Sequence, residues 1–185
     1  MFTGGFTESA TFSAYHPEDD PEVFSLFLEW VYGRQFAPVT EANMKEPSNS
    51  HFFMYRVKLY IFAEKLCLDE LCDYTITNLM SLLQQYARSP TVQQMREAYK
   101  GSAVDSPMRK FMCYNFYLHL KTGVEASHWM SKALSDALVA VPDLCFDFMK
   151  LSREVNRVEN PKRMAKCAFH KHAEGEECAY KGIML

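Results

Sequence analysis

Residues 19–36 read DDPEVFSLFLEWVYGRQF, a complete helix statement with a start, an apolar face and a stop. Asp20 is placed to cap the first turn, and Pro21 takes the first helical position, where a missing N–H costs nothing. Val23, Phe24, Phe27, Leu28 and Val31 recur at helical spacing, and Gly33 is expected to close the helix. Side chains of this kind wall a core and carry no chemistry of their own.

Upstream, Ala10-Thr11-Phe12-Ser13-Ala14-Tyr15 alternates apolar and polar positions, the pattern of a short strand ended by His16-Pro17. Downstream, residues 37–51 hold two prolines and a Ser/Asn cluster and read as a loop. A helix is expected over Phe52–Cys67, with Tyr55, Leu59, Phe62, Ala63 and Leu66 on one face. Asp69 offers an N-cap for the next, along which Cys72, Ile76, Leu79 and Leu83 align. Ser89-Pro90 ends that unit. Thr91 with Gln94 forms a capping box for Val92–Lys100. Ser106-Pro107 starts another helix, lined by Met108, Phe111, Met112, Asn115 and Leu118 and followed by Gly123. Trp129, Met130, Ala133, Leu134, Ala137 and Leu138 mark the next. Pro142 opens the last, with Leu144, Phe148, Leu151 and Val155 in phase. The expected fold class is mainly α, seven helices with a remnant of strand.

Composition sets the outer limits. The chain has 185 residues, of which 48% are hydrophobic, enough for a packed core in one domain with an appendage. Aromatic content of 14% and 11 methionines suit adaptable cores and contact surfaces. A net charge of -3 gives no electrostatic reason to expect nucleic acid or an anionic membrane as partner. The basic run Arg153, Arg157, Lys162, Arg163, Lys166 is blunted by Glu154, Glu159, Glu174, Glu176 and Glu177 and reads as a solvated tail. The N-terminal residues have no basic start and no apolar run, so an intracellular protein with reduced thiols is expected. Enzyme signatures are missing: no Gly-x-Ser-x-Gly, Walker-type loop, Gly-x-Gly-x-x-Gly or His-Glu-x-x-His occurs. The cluster Asp19, Asp20, Glu22 is what a helix start favours on electrostatic grounds alone.

Two motifs carry a family resemblance. DPEVFSLFLEWVYGRQF (20–36), with Trp30, Tyr32 and Gly33 at its close, resembles the third helix of the BTB/POZ domain, in the divergent form abundant in filamentous fungi. LYIFAEKLCLDELCDYTITNLMSLL (59–83) is similar to the helix pair that follows it in that family. The resemblance implies that residues 1–88 correspond to a partial BTB domain whose first strands and first helix have no counterpart here. Residues 89–155, beginning their second helix at Ser106-Pro107-Met108-Arg109-Lys110, correspond to the helical extension after it, and 156–185 to a polar tail. Because part of the usual dimer interface lies in the segment without counterpart, homodimerisation of the usual kind is not implied. The expected surplus is apolar surface near Phe2, Phe6, Phe12 and Tyr15. The implied function is a non-catalytic protein–protein interaction module. A further implication concerns Val39-Thr40-Glu41, a hydrophobic-x-acidic triplet after the third helix. In BTB adaptors of cullin-3 ubiquitin ligases such a triplet contacts the cullin, so cullin-3 or another BTB chain is an implied partner.

The sharpest chemical candidate is independent of that resemblance. Cys67, Cys72, Cys113 and Cys145 lie within apolar helical patterns, where a free thiol packs as a small hydrophobe. Cys167 and Cys178 instead sit in the polar tail, in the order Cys167-x2-His170-x-His172-x5-Cys178. Zinc prefers these residue types, Cys-x2-His is a normal ligand spacing, and His170 and His172 project to one side if the stretch is extended. The competing reading is a polar tail holding four such residues by coincidence. His51, His119 and His128 stand alone and read as surface or satisfied core residues.

Overall fold

The computed structural model describes residues 20–40, 50–122, 130–154, 159–172, 176–178 and 180. The expected strand at 10–15, the aromatics Phe2, Phe6, Phe12 and Tyr15, and Gly123, His128, Trp129 and Val155 lie outside these. Among the described residues, regular structure is entirely helical: α1 (Pro21–Gly33), α2 (Ser50–Lys65), α3 (Asp69–Gln85), α4 (Val92–Gly101), α5 (Pro107–Thr122), α6 (Ser131–Ala140) and α7 (Pro142–Glu154). Two single 3-10 turns follow, Pro161–Arg163 and Lys166–Phe169. None of the helices is long and apolar enough to cross a membrane.

The helix starts obey local chemistry. Asp20 is extended and its carboxylate accepts from the Glu22 amide at 3.1 Å. The Thr91–Gln94 capping box is complete in both directions. Two ends depart from expectation. The left-handed residue after α1 is Arg34 (φ 56°), one beyond Gly33, with its amide bonded to the Trp30 carbonyl. Asp69 is the first helical residue of α3 and Leu68 occupies the cap, so Asp69 faces the helix dipole without capping it.

α3 lies at the centre. All ten residues from Leu71 to Met80 are buried, polar ones included, so a single inward stripe does not describe it. α2 packs along one side and carries α1 and α4 in turn; α4 leads to α5 and α6, and α7 closes on α5. The two short turns of the tail then come back across α3 and α5, so the tail stitches the first helices to the later ones. Gly101 lets the end of α4 approach α2 closely, since a Cβ there would stand 2.7 Å from the Ile61 side chain.

Three buried hubs hold these layers. Arg56 of α2 is 2% exposed, donates to the Asn78 side chain at 2.6 Å and to the Phe52 carbonyl at 3.0 Å, and stacks over Phe36. Burial pulls its guanidinium down to about 10, opposed by the fields of Glu29 and Tyr74, and it stays charged at neutral pH. Tyr74 of α3 meets Phe36 edge-on and its hydroxyl accepts from the Phe36 amide, which pins the chain leaving α1. Arg109 of α5 spans to Asp143 of α7 at 2.9 Å and to the Tyr99 carbonyl of α4 at 2.6 Å, while the Tyr99 hydroxyl donates to Asp147.

Among the described residues, α1 is covered on one side only. Val23 and Trp30 are buried and Leu26 and Phe27 pack against the core, whereas Phe24, Leu28, Val31 and Tyr32 are exposed, Tyr32 at 86%. On α2, Leu59 and Ala63 are buried as expected, whereas Leu66 falls just past the helix and is exposed. Cys72 and Cys113 are buried and Cys145 half-buried, whereas Cys67 is exposed.

Asp20 performs two tasks, capping α1 and pairing with Lys58 Nζ of α2 at 2.7 Å. The Lys58 hydrogen bond, ahead of the amide bonds, holds the Asp20 carboxyl below its ordinary value of 3.8. A carboxyl lowered on folding stabilises the fold above its unfolded pKa and loses that contribution as pH falls through the folded value. We expect Asp20→Ala to cost about 1 kcal/mol near pH 7, the usual worth of a side-chain cap. The gap from wild type should shrink below pH ~4, measured by urea unfolding at both pH values.

Candidate metal centre

The tail approaches α3 because its residues supply partners to a polar strip on that helix. Asp73 and Thr77, one helical turn apart, are both buried. Asp73 Oδ1 accepts the Lys171 amide at 2.7 Å, and Thr77 Oγ1 lies 2.7 Å from His170 Nε2. Burial pushes the Asp73 carboxyl up, while the Lys171 amide and then His172 draw it back. Lys171 Nζ adds ion pairs to Glu64 at 3.0 Å and Asp69 at 3.5 Å.

An aromatic anchor fixes the turn that precedes these contacts. Phe169 is fully buried and meets Phe111 and Tyr114 of α5 edge-on, at 5.2 and 5.8 Å between ring centroids. Lys110 donates to the Ala168 carbonyl at 3.1 Å and sits over the Phe169 ring. Beyond the site, the Tyr180 ring packs at 5.5 Å on Tyr74.

Between these anchors, Cys167, His170, His172 and Cys178 converge. Each offers one ligand atom, and the four atoms lie within 4.8 Å of one another. Cys167 is in the 3-10 turn and His170 follows it in extended backbone (φ -99°, ψ 161°), with its amide bonded to the Cys167 carbonyl. The His170 and His172 rings stand 5.4 Å apart, on one side as the spacing predicts. Cys178 is buried, and its Sγ lies 3.2 Å from His170 Nδ1. The group could hold a metal ion. Around tetrahedral zinc, with bonds of about 2.0–2.3 Å, ligand atoms stand roughly 3.3–3.8 Å apart, so a contraction of about 1 Å at the widest pair closes the shell.

The arrangement also assigns the His170 nitrogens. Nδ1 faces Cys178 and the centre of the cluster, and Nε2 faces Thr77. With Nε2–H donated to Thr77, Nδ1 presents its lone pair inward, the usual way a protein fixes a ligating imidazole. A Cys–His contact can also activate a thiol for nucleophilic attack. Here the thiol is buried, and a second cysteine and second histidine complete a set of four that could hold a metal ion.

The spacing of the four ligands was readable; Thr77 and Asp73 were not, since 93 residues separate Thr77 from His170. The only local signal is that two short polar side chains one turn apart interrupt an apolar helix. Of the other predicted site residues, the structure describes two. Val39 packs against the core and its carbonyl accepts from the Tyr86 hydroxyl at 2.7 Å, Thr40 is exposed, and Glu41 lies outside the described residues. His51 is exposed and His119 half-buried, both apart from the cluster.

No family model, curated protein or solved structure matches the chain.

Thr77→Val keeps the shape of the α3 side chain and removes the oxygen that holds His170. We expect a loss of about 10-fold or more in zinc affinity with unchanged helical circular dichroism, read by competition against a chromophoric chelator. Equal affinity for both proteins removes Thr77 from the site.

Proposed function

We propose that this chain is a non-catalytic helical interaction module, of BTB type by its sequence motifs, whose tail is closed on itself beside α3 by a structural zinc ion. The observation that carries the metal is the convergence of four Cys and His ligand atoms within 4.8 Å, from twelve consecutive residues held at both ends by aromatic packing. Four protein ligands leave no open coordination position, which is the form of a structural and not a catalytic zinc site. Two thiolates balance the charge of Zn²⁺, so the neutral centre sits beside buried α3 without an uncompensated ion.

Zinc binding by the purified, reduced chain tests this directly. The expected content is one zinc per chain, with loss in His170→Ala and in Cys178→Ser, and a lower thermal midpoint after chelation. A zinc content near zero after loading and buffer exchange overturns the site.

The interaction role is supported by α1. Phe24, Leu28, Val31 and Tyr32 present exposed apolar surface at helical spacing, and contiguous surface of this kind marks a place where another molecule binds. The order α1, α2, α3, each packed on the next, is also the order the BTB motifs imply. A hydrophobic dye should therefore fluoresce on wild-type protein, and Leu28→Asp with Tyr32→Asp should remove most of that signal at unchanged helicity. A wild type that leaves the dye dark contradicts an exposed binding face.

A further inference from the structure

We propose that Cys167 and Cys178 are an oxidation site: a peroxide converts the pair to a disulfide and thereby expels the zinc. The proposal rests on the metal reading above and adds its regulation. Their ligand atoms are already within 4.8 Å, so disulfide bonding at about 2.05 Å requires an approach of less than ~3 Å. The approach is made within the tail, between the Phe169 anchor on α5 and the Tyr180 ring on Tyr74, and displaces neither.

Accessibility separates Cys167 from the core thiols, and a second thiol beside it separates it from the rest. Cys167 is half-buried and reachable from solvent. Cys72 and Cys113 are sealed in the helical core, where burial pushes each thiol up to about 12 and keeps it protonated. Cys67 is exposed and Cys145 half-buried, and neither belongs to the cluster. Cys167 therefore meets the oxidant with a resolving thiolate beside it, which the other thiols of the cluster-free core do not have.

The reaction balances with one peroxide. The Cys167 thiolate attacks one oxygen of hydrogen peroxide, the O–O bond breaks, and a sulfenic acid and a hydroxide result. The Cys178 thiolate then attacks that sulfur, the S–S bond forms, the S–O bond breaks, and a second hydroxide leaves. Each sulfur gives up one electron and each peroxide oxygen gains one. Zinc is left with two imidazoles and dissociates.

The structure also says what should not change. Phe169 is seated between Phe111 and Tyr114 by ring contacts that involve none of the four cluster residues, and the disulfide replaces the metal as the link between Cys167 and Cys178. Oxidation should release zinc without unfolding the helices.

The test treats the zinc-loaded, full-length reduced chain with hydrogen peroxide. Released zinc is followed with a chromophoric chelator, thiols are counted after denaturation, and the product is mapped by proteolysis and mass spectrometry. The expected result is one zinc released for every two thiols lost, from six thiols to four. A peptide joining Cys167 to Cys178 should appear, helical circular dichroism should hold, and reductant should restore zinc binding. Cys167→Ser should give no such cross-link. Retention of zinc and of all six thiols overturns the oxidation site and leaves the metal reading standing, as does zinc loss without the cross-linked peptide. A reduced chain that takes up no zinc overturns the metal reading and the release with it.

Discussion

The fold depends on covering a helix that is buried on every side. α3 has ten consecutive buried residues, and among them Asp73, Thr75, Thr77 and Asn78 are polar. Apolar neighbours can cover Leu71, Ile76 and Leu79, but a buried carboxylate, hydroxyl or amide needs a hydrogen-bond partner or costs roughly 1–3 kcal/mol. α2 satisfies Asn78 through Arg56, and the tail satisfies Asp73 and Thr77 through Lys171 and His170. The position of the tail is thus set by polar requirements of α3 as much as by the apolar ring of Phe169.

That dependence ties the candidate metal centre to the core. His170 is at once a partner of Thr77 and a member of the four-residue cluster, so the group that completes α3 also orients the ligand set. The route continues outward: Tyr180 packs on Tyr74, and the Tyr74 hydroxyl pins Phe36, where the chain leaves α1. The tail, the central helix and the start of the α1–α2 connection share one set of contacts. α1 itself keeps an apolar side uncovered, so the surface offered for binding and the site offered for metal lie on separate elements.

What could be read from the sequence followed how local its causes are. Asp20-Pro21 and the Thr91–Gln94 box act within one turn, and both helix starts were legible from residue type and spacing. At Gly33 and Asp69 the helix ends fall one residue away, on Arg34 and Leu68. The inward faces of α6 and α7, with Leu134, Ala137, Leu144 and Leu151, were legible because each packs on one side. α3 was not, because burial all round replaces the single stripe on which periodicity depends. The candidate ligands were legible as types and spacing within twelve residues, but Thr77, Asp73, Arg109 and Asp143 act across long separations that no local pattern records.

The long separation between Thr77 and His170 has a consequence for how the chain is made. At synthesis rates of about 5–20 residues per second, the 93 residues between them take roughly 5–20 s to emerge. Through that interval α3 is already out of the ribosome while the side chains that complete it have not been translated. Its polar strip must stay bonded to water and its apolar faces only partly covered, so the nascent domain waits in an unfinished state until its last segment arrives. A chain halted before Phe169 would lack the partners of Asp73 and Thr77 and keep its central helix wet on that side.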